Sequence, residues 1–282
     1  MRQDTDISWH EQWFAAYATR ERAKARGDAT PLDLKIRHTQ RVLDNARAVI
    51  TEETFMPDTA RACLLAALYH DIARFEQYLR YGTFKDRESC NHGLLGVKIL
   101  KGEKCLAREK DTVRGAALAA VGLHNRFALP RGLPENVGLA AWVVRDADKL
   151  DILRIMDEHL SGPMPYCPTV VLSLPDNADI CSRTVIEAAL AGRVAAYADL
   201  RSVNDFRLLL GTWFFDLRFP ASRNRFILDG HARRLLAALP DIPPYGQAKN
   251  FLLTLFEGQG ARLKQDGIQP PPPGSTRQRE LS

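Results

Sequence analysis

Four of the chain's seven histidines, His38, His70, His92 and His124, fall where their side chains could act together. Two have a further ligand-type neighbour: Asp71 follows His70, and Asn125 follows His124. A dense acidic cluster comes later, in Arg145-Asp146-Ala147-Asp148-Lys149-Leu150-Asp151. Imidazole and carboxylate together suit borderline and harder divalent metals such as Zn, Fe and Mn. A single histidine on an apolar face reads better as a satisfied core residue. Four of them, with a His-Asp pair and a late Asp, reverse that preference.

The elements that must position these groups read as helices. Trp9, Trp13, Phe14 and Tyr17 share one face of an opening helix, a stripe typical of packing. Thr30-Pro31 reads as an N-cap and first helical residue of a helix over about 31–53, which carries His38. A third helix starts at Pro57-Asp58 and runs into His70-Asp71. Adjacent helical residues point about 100° apart, so His70 and Asp71 can reach one ion only at a helix end or bend. A looser segment over 78–91 precedes helices at about 92–101, 111–124 and 136–160. A four-proline connector, Ser161–Pro175, holds a loop or short strand over 169–174. Helical patterns resume over about 180–200, 202–217, 221–239 and 245–264. The tail with Pro270-Pro271-Pro272-Pro273 cannot form a helix and is expected to be disordered.

Composition excludes more than it selects. Hydrophobic residues make up 45% and charged residues 26% of the chain, which places it with ordinary globular proteins. A chain of this length buries enough surface to fold without disulfides or a structural metal, so a bound metal is expected to be functional. The five cysteines contain no C-x-x-C pair and read as free thiols. The acidic start lacks the apolar core of a signal peptide, and no apolar run is long enough to span a bilayer, so a cytoplasmic protein is expected. A net charge of +5 is too mild to indicate a nucleic-acid binder but keeps acidic substrates in view.

The order His38, His70-Asp71, Asp148 resembles the H…HD…D signature of the HD-domain superfamily, metal-dependent phosphohydrolases of all-α fold. The flanking text is similar too: His70-Asp-Ile-Ala-Arg-Phe-Glu-Gln77, Tyr81-Gly-Thr-Phe-Lys-Asp86, Asn91-His-Gly93, Leu123-His-Asn125 and Arg145–Asp151. That text resembles a bacterial branch of single-domain HD proteins, over about residues 30–160. The resemblance implies an HD-domain helical bundle with a C-terminal helical extension. It divides the chain into an N-terminal helix packing on the core (1–30), a metal-binding core (31–162), an extension (163–264) and the proline-rich tail (265–282).

It further implies that His38, His70, Asp71 and Asp148 ligate a divalent metal, with Mn, Fe, Ni, Co, Zn and Mg all open. Asp148 stands in the family's Ala-Asp-x-Leu context, and Asp146 and Asp151 are the second choices. His92 and His124 match positions that hold a second metal in binuclear branches and face the substrate phosphate in mononuclear ones. The chemistry this implies is hydrolysis of a phosphate ester by metal-activated water, with Asp71, His92 and His124 as the expected catalytic groups. Arg74, at i+4 from His70, and Lys149, beside Asp148, are the expected substrate-binding cations. Arg37, Arg41, Lys85 and Arg126 read as solvated surface charges.

The absence of a Gly-Tyr-Pro signature argues against the HD-GYP branch, and no nucleotidyltransferase partner is visible beside the core. The expected partner is a small phosphorylated substrate, with nucleotides leading and oligomeric state open. Two alternatives belong to other classes. One is a catalytically inactive HD-fold binding module for a phosphorylated ligand. The other is nucleic-acid binding through Arg201–Arg234, which holds seven arginines interleaved with aromatics. Packing of arginine stems on a core explains that segment more simply.

Overall fold

In a computed structural model, residues 5–162, 166 and 170–268 are described. They form an all-α structure, with no strand among them. The chain divides into two compact units, Met1–Asp151 and Ile152–Ser282.

In the first unit, α1 (Ser8–Arg22) packs against α2 (Thr30–Glu52), α3 (Pro57–Tyr69) and α4 (Ala73–Tyr81). α5 (His92–Glu103) and α6 (Asp111–Leu123) follow, and α7 (Glu135–Leu160) contains the division between the units. α3 is the central helix and packs on both α2 and α6. Its Ala60, Ala62, Cys63, Leu64, Leu65, Ala66, Ala67 and Leu68 are all buried. A helix apolar on every side must lie inside, and each fully buried leucine contributes roughly 1.5–3 kcal/mol. Its small residues let neighbouring helices approach closely.

α2 begins differently from the expectation. Thr30 lies within the helix and Ala29 takes the cap position with no side-chain cap. The Thr30 N–H is taken by the Asp28 carboxylate at 2.9 Å, so aspartate does the work expected of threonine. Part of the looser segment is also helical. α4 extends to Tyr81 and closes on Gly82, whose φ of 66° is a left-handed conformation that glycine adopts without strain.

The second unit contains α8 (Arg183–Leu190), α9 (Val203–Thr212), α10 (Pro220–Asp229), α11 (His231–Ala237) and α12 (Pro243–Gln265). α9 is buried along its whole length and packs on α8, α11 and α12. Three long helical expectations are corrected here. The 180–200 pattern is helical only as α8, followed by Gly192 at φ 65° and a 3-10 turn at Tyr197–Asp199. The 202–217 pattern ends as a 3-10 turn, Trp213–Asp216. Gly230, at φ 68°, splits 221–239 into α10 and α11. Residues 170–173 form turns, whereas Thr169 and the tail from 269 lie outside the described residues.

Phe214, Phe226 and Phe256 meet with ring centroids 5.4–5.7 Å apart, and Phe206, Trp213 and Phe219 are buried. These aromatics are spent on the unit's interior. Cys63, Cys90, Cys105 and Cys181 are free thiols, and Cys167 lies outside the described residues.

Candidate metal centre

The two helix ends of the first unit create the first constraint. α3 stops at Tyr69, and His70, Asp71 and Ile72 form the turn into α4. This is the bend that the adjacent His-Asp pair requires. A helix end leaves backbone carbonyls without intrahelical donors, and the His70 Nδ1–H donates to the Ala67 carbonyl at 2.8 Å. His124 repeats this device at the end of α6, its Nδ1–H donating to the Val121 carbonyl at 2.7 Å. In both rings Nε2 is left with its lone pair outward.

His92 opens α5 rather than closing a helix. Asn91 caps that helix by accepting from the Leu94 N–H at 3.0 Å. The His92 Nδ1–H donates to the Asp86 carboxylate at 2.7 Å, which again leaves Nε2 as the acceptor. Asp86 also accepts from Gln77 Nε2 and from Asn125 Nδ2, each at 3.0 Å. Gly93 makes this approach possible, since a Cβ there would lie 2.8 Å from Asn125 Oδ1 and 3.1 Å from the Val121 carbonyl. The quoted Asn-His-Gly and Leu-His-Asn strings are thus two sides of one helix contact.

His38 sits mid-way along α2 between two aspartates of α7. Asp151 Oδ2 accepts from its Nδ1–H at 2.7 Å. Asp148 Oδ1 lies 3.0 Å from Nε2 and 3.9 Å from His70 Nε2. The three acids of the cluster therefore separate by position. Asp148 faces the ligand nitrogens and Asp151 fixes the imidazole from behind, while Asp146 is fully buried.

Asp71 joins the histidines into one site. Its Oδ2 lies 3.7 Å from both His38 Nε2 and His70 Nε2. Its Oδ1 lies 3.5 Å from His92 Nε2 and 3.8 Å from His124 Nε2. Two groups able to hold a metal ion result, His38–His70–Asp71 and Asp71–His92–His124, all buried. Nε2 of His92 and Nε2 of His124 are 3.0 Å apart, although each ring's proton is committed at Nδ1. Two lone pairs at that separation repel unless a cation lies between or beside them. Burial pushes His70 and His92 down to about 4, so neither ring is protonated at neutral pH. Burial and Lys35 push His38 the same way, but Asp148 and Asp151 outweigh them and raise it. Burial would raise Asp71, yet Lys35, Arg74 and His70 hold its carboxyl well below the usual carboxylate range. These donors fit a divalent ion of the imidazole- and carboxylate-binding kind.

The family model that matches this chain covers residues 36–153, the span from α2 to α7 that carries every one of these groups, and its description is the HD domain. Residues 36–153 are an HD domain. Its superfamily is one of metal-dependent phosphohydrolases. Comparisons with curated proteins and with solved structures find no match.

Around the metal groups of the HD domain, the cations are arranged unequally. Arg74 donates to Asp71 Oδ1 at 3.1 Å, Gln77 Oε1 at 2.7 Å, the Phe84 carbonyl at 2.6 Å and Asp86 Oδ1 at 3.2 Å. It therefore ties the two carboxylates of the site to the 82–86 loop. Lys149 is half-buried in α7 beside Asp148. Arg37, Arg41 and Arg126 are exposed, and Lys85 pairs with Glu88 at 3.1 Å. Arg145 is buried and donates to the His124, Arg126 and Phe127 carbonyls, which holds the loop after His124.

Sequence reasoning missed Lys35, whose Nζ lies 2.6 Å from Asp71 Oδ2. A signal was present, because Lys35 stands one helical turn before His38 on the same face of α2. It also missed the orienting roles of Asp86 and Asp151. Asp86 closes one of the quoted strings, but nothing in that string marks it as the acceptor for His92.

Proposed function

We propose that this protein hydrolyses a phosphate ester of a small phosphorylated molecule, nucleotides first, using two divalent ions held on either side of Asp71. The observation that carries this reading is the position of Asp71, one carboxylate oxygen toward each histidine pair. His38, His70 and Asp148 complete the first ligand group, and His92 and His124 complete the second. Neither group has a full set of six protein donors, which leaves room for water and a phosphoryl oxygen.

When bound, the ions would lower the pKa of a water molecule towards neutrality and polarise the phosphoryl oxygen. The chain's own contribution is positional. The Nδ1 protons of His70, His92 and His124 are anchored on Ala67, Asp86 and Val121, which turns each Nε2 toward the site, and burial keeps His70 and His92 neutral. Asp71 is held ionised by Lys35 and Arg74 and is suited to accept a hydrogen bond that orients the attacking water. His92 and His124 face the same space as Asp71 and complete the catalytic set. Lys149, next to Asp148 in the sequence, would meet negative charge on the substrate.

The test is elemental analysis of the purified chain, followed by phosphate release from nucleotides and sugar phosphates with Mn, Fe, Co, Ni, Zn or Mg added. Metal-dependent release supports the reading. A folded protein that binds phosphorylated ligands yet releases no phosphate with any ion would replace it with the binding-module alternative.

A further inference from the structure

Two cations touch Asp71, and they differ in what else they do. Arg74 is saturated by the chain itself, with Gln77, Phe84 and Asp86 taking its guanidinium alongside Asp71. Lys35 is not. An ammonium carries three donors, and among the described residues its one hydrogen-bond acceptor is Asp71 Oδ2, at 2.6 Å. Its side chain remains 18% exposed, whereas that of Asp71 is 4% exposed, so the lysine forms the solvent-facing edge of the buried carboxylate. The Phe84 ring, 5.6 Å from Nζ, steadies it there by a cation–π contact. The oxygen it touches is the one that also faces His38 and His70.

We propose, resting on the hydrolase reading above, that Lys35 binds the substrate's phosphoryl group and selects terminal phosphoryl groups over phosphodiesters. A terminal phosphoryl group has three non-bridging oxygens and, with a second pKa of about 6, nearly two negative charges at neutral pH. A diester has two such oxygens and one charge. Asp71 separates two ligand groups for cations, and Lys35 adds a third positive centre at the outer edge. Three centres match three oxygens. In a diester one of those oxygens carries a carbon substituent, and an ammonium held at this edge loses its acceptor. Arg74 is unsuited to this contact, because turning it toward substrate would break its bonds to Gln77 Oε1 and the Phe84 carbonyl.

The experiment uses the full chain loaded with Mn(II) and compares Lys35→Met and Lys35→Gln with the parent. Elemental analysis and thermal melting establish that each variant holds the same metal and folds. Turnover is measured on p-nitrophenyl phosphate and bis(p-nitrophenyl) phosphate, and inorganic phosphate binding is measured by calorimetry. The ratio of kcat/KM for monoester over diester is expected to fall at least about tenfold, chiefly through KM, with a matching loss of phosphate affinity. Lys35→Arg is expected to restore part of both. An unchanged ratio together with unchanged phosphate affinity would overturn the assignment, as would an equal loss on both substrates. If the loaded parent hydrolyses neither compound, the hydrolase reading fails, and the calorimetry still decides whether Lys35 holds phosphate.

Discussion

Asp86 Oδ1 lies 2.7 Å from His92 Nδ1, on the far side of the imidazole from the Nε2 that faces His124 at 3.0 Å. The ring is thus a wedge between an anionic support and an electron-rich pocket. The same arrangement recurs at His38, with Asp151 behind and Asp148 in front. Removing the support at Asp86 should leave the fold largely intact and the ligand poorly aimed. Asp86→Asn is expected to weaken metal binding at the His92–His124 side by about 10–100-fold, as loss of an orienting carboxylate does elsewhere. Titration with Zn(II) or Co(II) against a chelating dye reads this directly. Equal affinity in the variant would show that Asp86 does not orient His92 for metal.

Gly93 tests how the two helices bring His92 and His124 together. In Gly93→Ala the new methyl group would meet Asn125 Oδ1 at 2.8 Å and the Val121 carbonyl at 3.1 Å, and the latter is backbone that cannot swing away. Overpacking of this kind costs about 1–3 kcal/mol. Urea denaturation should show that loss, and metal binding at the α5–α6 side should weaken with it. A fully stable variant with parental metal affinity would contradict the close-contact explanation of the Asn-His-Gly string.

Acid stability should depend on Glu109. Arg61 hydrogen-bonds this buried carboxylate through Nε at 2.6 Å and Nη2 at 2.8 Å, and this contact, more than any other, lowers its pKa. Its folded pKa lies below the unfolded value of about 4.3, so the stabilisation is complete above that pH. It is lost as pH falls through the lower, folded value. Glu109→Gln is expected to reduce stability at pH 7 by about 1–3 kcal/mol and to flatten the decline below about pH 4.3. Denaturation curves from pH 7 to pH 3 on both proteins check the sign. Parallel curves would show that the ion pair contributes nothing to acid sensitivity.

The histidines and aspartates that the fold brings together were legible in the sequence because their types are rare in a core and their order is distinctive. The bend at His70-Asp71 was legible for a geometric reason, since neighbouring helical residues cannot share an ion. Lys35, Asp86 and Asp151 were not, because their roles depend on partners brought close by folding. Lys35 meets Asp71 across 36 positions of chain, and Asp151 meets His38 across 113. Helices were readable where apolar faces recur, as in α2, and overextended where alanine-rich text continues past a stop. The run after α8 is one such case: Gly192 turns left-handed, and the Asp199 carboxylate accepts from the Ala196 N–H, so local hydrogen bonds replace the helix.

In the proposed centre one carboxylate serves two metal positions, which fixes the metal-to-protein ratio. Each protein is loaded with Mn(II) or Zn(II), freed of excess by gel filtration, and measured by elemental analysis. The parent is expected to retain two ions per chain and His92→Gln one. Asp71→Asn should lose ions from both positions and fall below one, with hydrolysis abolished alongside. A parent that retains no metal, or an Asp71→Asn variant that keeps the parental ratio, would contradict the shared-carboxylate centre.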